Sequence, residues 1–68
     1  MIDQEGKEYI ELNAFIKKIN LATTGGQAKN LIRSGEIKLN GTIETRNRKK
    51  LHPNDIVEYA RKKYVVKI

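Results

Sequence analysis

The sequence predicts an α+β fold: a two-helix hairpin packed on a small, mostly antiparallel sheet of four to five short strands. Three observations predict it. Two apolar stripes at helical spacing, Leu12/Phe15/Ile16/Ile19 and Ala28/Leu31/Ile32, follow one another in the first half. Short alternating runs fill the second half. Asn40-Gly41 marks a two-residue hairpin turn, whose central positions both need positive φ. The 68 residues allow one domain, 1–68, with one modest core. A chain of this size buries only about 60% of its unfolded surface, which leaves little room for a water-excluding catalytic cleft.

Lys7 to Leu12 alternates, with Ile10 and Leu12 on one face, and reads as a strand. Asn13 is placed to cap a first helix through Lys18 or Ile19 by accepting a backbone N–H bond. Lys17 and Lys18 face away from its stripe, and Asn20-Leu21-Ala22 makes the turn. Thr23 and Thr24 are both candidate caps for a second helix, from Gly25 or Gly26 through Arg33 or Ser34. Gly35 then supplies the left-handed residue that closes many helices. Ile37 and Leu39 flank Lys38 in a strand, and Thr42 to Glu44 return as its partner. A basic loop, Thr45 to Lys50, precedes Leu51, which returns to the core. His52-Pro53-Asn54-Asp55 is a turn in which Asp55 holds backbone N–H groups and His52 has a surface or capping role. Ile56 to Ala60 and Tyr64 to Ile68 are further strands, joined by Arg61-Lys62-Lys63.

Charge narrows the function. The net charge of +6 is uneven: residues 1–20 carry three cations and four anions, residues 21–68 eleven cations and four anions. Cations gathered in one part of a chain are the footprint of a polyanion partner, the alternative being a solvated surface kept for solubility. The absence of cysteine removes disulfides, thiolate nucleophiles and Cys-based zinc sites together. The first twenty residues show no apolar run of signal-peptide or membrane-spanning length, so a cytoplasmic location is expected. No carboxylate pair, His–carboxylate spacing or Ser–His arrangement stands out. No catalytic residue, metal or cofactor is therefore expected, and the protein is not read as an enzyme.

Two basic elements remain. Gly26, Lys29 and Arg33 share a flank of the second helix, away from Ala28, Leu31 and Ile32. The start of that helix offers unpaired N–H groups and a positive dipole end, and Thr24-Gly25-Gly26 leaves room for a phosphate to approach. A plain cap with a wet face is the alternative. The second element is Arg46, Arg48, Lys49 and Lys50. Four cations in five positions repel one another, so folding alone gives no reason to group them, although charge runs are usually solvated loops. Here a hairpin anchors the run beside the second helix. With Lys38 included, residues 28–50 hold seven cations against Glu36 and Glu44. Phe15 belongs to a core stripe, and Tyr9, Tyr59 and Tyr64 fall on strands. No aromatic platform for unpaired bases is visible, which favours folded RNA.

The runs Leu12-Asn13-Ala14-Phe15-Ile16 and Leu21-Ala22-Thr23-Thr24-Gly25-Gly26-Gln27-Ala28-Lys29-Asn30-Leu31-Ile32-Arg33-Ser34-Gly35 come in order, followed by Leu39-Asn40-Gly41 and Asn54-Asp55-Ile56-Val57. Together they resemble the RNA-binding domain first seen in ribosomal protein S-four, also called the alpha-L RNA-binding motif. The family pattern has Leu-Asp, then Leu-Ala-x-Ser-Arg-x-Gln-Ala-Arg-x-Leu-Ile-x-x-Gly, then Val-Asn-Gly and Gly-Asp-x-Ile. Glu44-Thr45-Arg46-Asn47-Arg48 looks like the stand-alone bacterial members of YaaA type, which consist of this domain alone. The resemblance implies an αα-hairpin on a small sheet and RNA contacts from Thr24, Lys29, Arg33, Arg46 and Arg48. Gly25 departs from the arginine many members carry, which shifts weight to the Arg46–Lys50 loop. Glu11 departs from an arginine that often precedes the first helix, and Asn54 replaces a turn glycine.

The expected function is thus a non-catalytic module that docks on structured RNA, ribosomal RNA or a ribosome-assembly intermediate, acting as a monomer away from membranes. The expected contacts are Thr24, Gly25, Gly26, Lys29, Arg33, Lys38, Arg46, Arg48, Lys49 and Lys50. A protein-interaction adaptor for an acidic, ribosome-linked or replication-linked partner, and a duplex DNA binder, are the alternatives for the same face.

Overall fold

The computed structural model describes residues 1–68. In chain order the elements are β1 (Ile10–Glu11), α1 (Leu12–Lys18), α2 (Gly25–Arg33), β2 (Lys38–Leu39), β3 (Thr42–Ile43), β4 (Lys50–Leu51), β5 (Ile56–Tyr59) and β6 (Lys62–Val65). The strands form two antiparallel sheets, one of β1 with β4 and one in the order β3-β2-β5-β6. The α+β class is as expected, with six strands shared between two sheets.

Both apolar stripes reach the core. Leu12, Phe15 and Ile16 of α1 meet Ala28 and Ile32 of α2, and Ile37, Leu39, Leu51, Val57 and Val66 close the interior from the sheet side. Ile19 and Leu31 are half-buried at its margin. No polar or charged residue is buried. Leu39 and Val57 stand opposite each other on the inner face of the larger sheet. Lys38, between Ile43 and Glu58, belongs to the outer row.

Local signals explain α2 and the first hairpin. Thr24 is the N-cap, its Oγ1 accepting the Gln27 N–H at 3.1 Å. Gln27 Oε1 in turn accepts from the Thr23 N–H at 2.9 Å and the Thr23 hydroxyl at 2.6 Å, a reciprocal arrangement close to the capping box. Gly35 closes the helix at φ +82°, and Asn40 and Gly41 turn the chain at φ +50° and +87°. Asn54 takes φ +75°, as expected of an asparagine in a turn glycine's place.

Several local expectations are corrected. Asn13 is not a cap: it is the second residue of α1, and its Oδ1 accepts only from the next N–H, that of Ala14. Glu11 holds the N-cap position without a side-chain bond to the helix amides. The first two amides of α1, Leu12 and Asn13, donate instead to the Lys49 carbonyl at 2.8 Å and the Asn47 carbonyl at 3.0 Å. The basic loop thus satisfies donors that a helix start leaves open. The strand expected over Lys7–Leu12 shrinks to Ile10–Glu11, because Leu12 turns into the helix. Glu44 leaves the partner strand and Lys50 leaves the loop for β4. Finally, β5 and β6 pair as far as Tyr59 opposite Lys62, so Ala60-Arg61 alone makes the turn, at φ +52° and +66°.

Candidate nucleic-acid interface

The basic loop is fixed at its C-terminal end and at its middle before any side chain is considered. Its C-terminal end joins β4, where Lys50 pairs with Glu11 and Leu51 with Ile10. Its middle is bonded to the start of α1 through the Asn47 and Lys49 carbonyls. A turn closed by the Lys49 N–H on the Arg46 carbonyl at 3.3 Å brings the cations together.

Each arginine of the loop has a carboxylate beside it. Arg46 donates Nε–H to Glu44 Oε2 at 2.9 Å and Nη2–H to Glu44 Oε1 at 3.1 Å. Its backbone N–H also reaches Glu44 Oε2, at 3.1 Å. Arg48 donates Nε–H to Glu11 Oε2 at 3.0 Å. In both pairs the acid is sheltered and the base exposed: 12% of the Glu44 side chain is accessible against 70% for Arg46, and 16% for Glu11 against 76% for Arg48. The Arg46 guanidinium holds the Glu44 carboxyl below the usual carboxylate range. Lys50 Nζ lies 5.0 Å from the centroid of the Tyr9 ring, within cation–π reach.

Arg46, Arg48, Lys49 and Lys50 are the sole lining of an open cavity of about 380 Å³. A second cavity, of about 590 Å³, shares Arg46, Lys49 and Lys50 with it but has mixed walls. Those walls are tied to one another. Asn40 Nδ2 donates to Asp55 Oδ1 at 3.2 Å, Asp55 Oδ2 accepts the His52 N–H at 2.8 Å, and His52 Nε2 lies 2.8 Å from Asp3 Oδ2. The larger cavity is therefore a braced junction of hairpin, turn and N-terminal arm, and the smaller one is walled by cations alone.

Of the ten residues expected at the interface, the structure gathers these four. Thr24 is engaged in capping α2. The Gly25 and Gly26 amides precede the first capped amide, and a Cβ at Gly25 would meet nothing within 4 Å. Lys29, Arg33 and Lys38 are exposed, form no ion pair, and line neither cavity. Sequence reasoning missed three members: Glu44, Glu11 and Tyr9. Glu44-Thr45-Arg46 carried a usable signal, since residues two apart in extended chain share a face. Glu11 and Arg48, 37 positions apart, carried none. One buried acceptor of the loop, Asn47 Oδ1, has no donor. No group of acidic, histidine or cysteine side chains is arranged to hold a metal ion, and no helix is long and apolar enough to cross a membrane.

A helix hairpin on two small sheets, with a cation-lined cavity beside the first helix, defines a small α+β module with a cationic surface. A family model for the S4 domain matches residues 2–67, and the chain belongs to that family of RNA-binding modules. Its general class of partner is therefore RNA. No curated protein sequence matches the chain.

Proposed function

We propose that this protein is a non-catalytic, single-domain cytoplasmic module that docks as a monomer on structured RNA, ribosomal RNA or a ribosome-assembly intermediate, by clamping phosphates. The cavity walled by Arg46, Arg48, Lys49 and Lys50 alone is the observation that carries this reading. Like charges a few ångströms apart near a surface repel by roughly 1 kcal/mol or more per pair. A fold has no use for that repulsion, whereas a bound phosphate reverses it. Arginine offers the planar fork that matches phosphate oxygens, and the two lysines add point charges.

A second backbone segment is held by Gly25, Gly26, Lys29 and Arg33 of α2, with Thr24 shaping that end and Lys38 at the rim. Topology supports this extension. The helices pack together, and the chain reverses within residues 19–24. Helices joined by a short connection run antiparallel. Arg33, in the last turn of α2, then returns toward the first turn of α1, which the basic loop caps.

The test is a fluorescence-anisotropy titration of the Arg46→Ala/Arg48→Ala double variant against a labelled RNA hairpin. Binding is expected to weaken about tenfold or more, since hydrogen bonds to charged groups contribute most. Normal binding with early melting would make the two arginines structural and reject the reading. Equal competition by DNA of the same length would favour a duplex DNA binder, and a pull-down that survives nuclease would favour a protein partner.

A further inference from the structure

We infer that Glu11 and Glu44 are positioning residues for RNA, each holding one loop arginine with its outer edge turned to a phosphate, a role that presupposes the RNA-binding surface proposed above. By charge alone, two carboxylates at a phosphate site are a liability. Geometry gives them a use. In each pair the acid is the sheltered member and the guanidinium the exposed one.

A guanidinium carries five N–H donors. Glu44 takes the Nε–H and one Nη2–H of Arg46, the side-on mode. The donors left on Nη1 and Nη2 include the parallel pair that grips a phosphate bidentately. Arg48 gives only its Nε–H to Glu11, so its outer fork is wholly free. A phosphate can therefore bind either arginine without displacing its acid.

The acids are themselves anchored. Glu11 sits in β1 opposite Lys50 and at the N-cap of α1. Glu44 follows β3, with its N–H donating to the Ile37 carbonyl at 2.9 Å. An arginine on an exposed loop otherwise samples many rotamers and loses that freedom on binding. Here the loss has largely been taken in folding, before RNA arrives. The opposite role, in which each acid masks its arginine and must be pushed aside, predicts the opposite sign of effect.

The experiment uses the full chain, with Glu44→Gln and Glu11→Gln titrated separately against a labelled RNA hairpin at fixed salt and melted by circular dichroism. Each variant gains one unit of positive charge, so charge alone predicts tighter binding. Positioning predicts binding weaker by about two- to tenfold. In an Arg46→Ala background Glu44→Gln should lose that effect, and in an Arg48→Ala background so should Glu11→Gln. A purely structural role would not produce that coupling. Tighter or unchanged binding by a folded Gln variant overturns the inference. The unmodified protein gives an independent check through ¹⁵N relaxation of the Arg46 and Arg48 Nε–H bonds. Backbone-like order is expected, and order parameters below about 0.6 overturn it. If the arginine variants bind as tightly as the unmodified protein, the RNA-binding surface itself falls, and the two failures are distinct.

Discussion

Asp3 Oδ2 and His52 Nε2 stand 2.8 Å apart across 49 positions of sequence, pinning the N-terminal arm to the turn before β5. The same carboxylate accepts the Glu5 and Lys7 N–H groups, each at 2.9 Å, and so shapes the arm as well as tethering it. The hydrogen bond from His52, and after it the Lys7 amide, hold the Asp3 carboxyl below its usual range. A carboxyl whose folded value lies below the unfolded value of about 3.9 stabilises the fold above that pH. The contribution fades as pH falls through the folded value. Asp3→Asn should therefore melt lower than the unmodified protein at neutral pH, and the difference should close below about pH 4. Melting curves of both proteins across that range check it. A difference that stays constant with pH would remove the Asp3 charge from the explanation.

Thr24→Ala should cost about 1 kcal/mol, since it removes the side-chain acceptor for the Gln27 N–H at the start of α2. In a domain of this size that corresponds to a melting point lower by about 4–8 °C. Thr24→Ser keeps the hydroxyl and should restore most of the loss. If both variants melt alike, the threonine methyl rather than its oxygen matters.

The sequence made α2 and the first hairpin legible because their signals are local: Thr24 and Gln27 around the helix start, Gly35 at its end, Asn40-Gly41 at the turn. Family-like spacing extended that legibility over most of the chain. The pairing of β1 with β4 was not legible, because two-residue strands carry no alternation and Ile10 meets Leu51 only through tertiary packing. The cap of α1 was misread for the same reason. Asn13 looked like the nearest acceptor in sequence, but the carbonyls that serve come from Asn47 and Lys49. At the site, the cations were visible as a run and Glu44 stood two residues from Arg46, while Glu11 and the Tyr9 ring were not visible as partners. Which side chain pairs with Arg48 is decided by where β1 lies, and no neighbouring residue announces it.

The turn at Ala60-Arg61 hides from the sequence in another way, since neither residue favours the conformation it takes, φ +52° and +66°. L-residues held there cost roughly 1 kcal/mol or more each. Replacing the pair by Asn-Gly, which accepts positive φ at both positions, should raise the melting temperature by about 4 °C or more. The measurement is a thermal melt followed by circular dichroism. A lower melting temperature would contradict the two-residue turn. Because Arg61 lies outside the cation cavity, hairpin RNA binding should change little.

Lys49 separates local from overall charge. It lines the cation cavity, and no ion pair or side-chain hydrogen bond holds its ammonium. Its loss should therefore leave the fold nearly untouched and appear in RNA binding. Each phosphate neutralised by a cation contributes about 0.7 to 0.9 to the slope of log affinity against log salt. Lys49→Gln should lower that slope by about one such unit, without a shift in melting temperature. Lys17→Gln, on the exposed side of α1, removes the same charge away from the cavity and should leave the slope nearly unchanged. Salt titrations of the three proteins against one RNA hairpin make the comparison. Equal losses from the two variants would mean that RNA responds to total charge, and the cavity would then have no special part in binding.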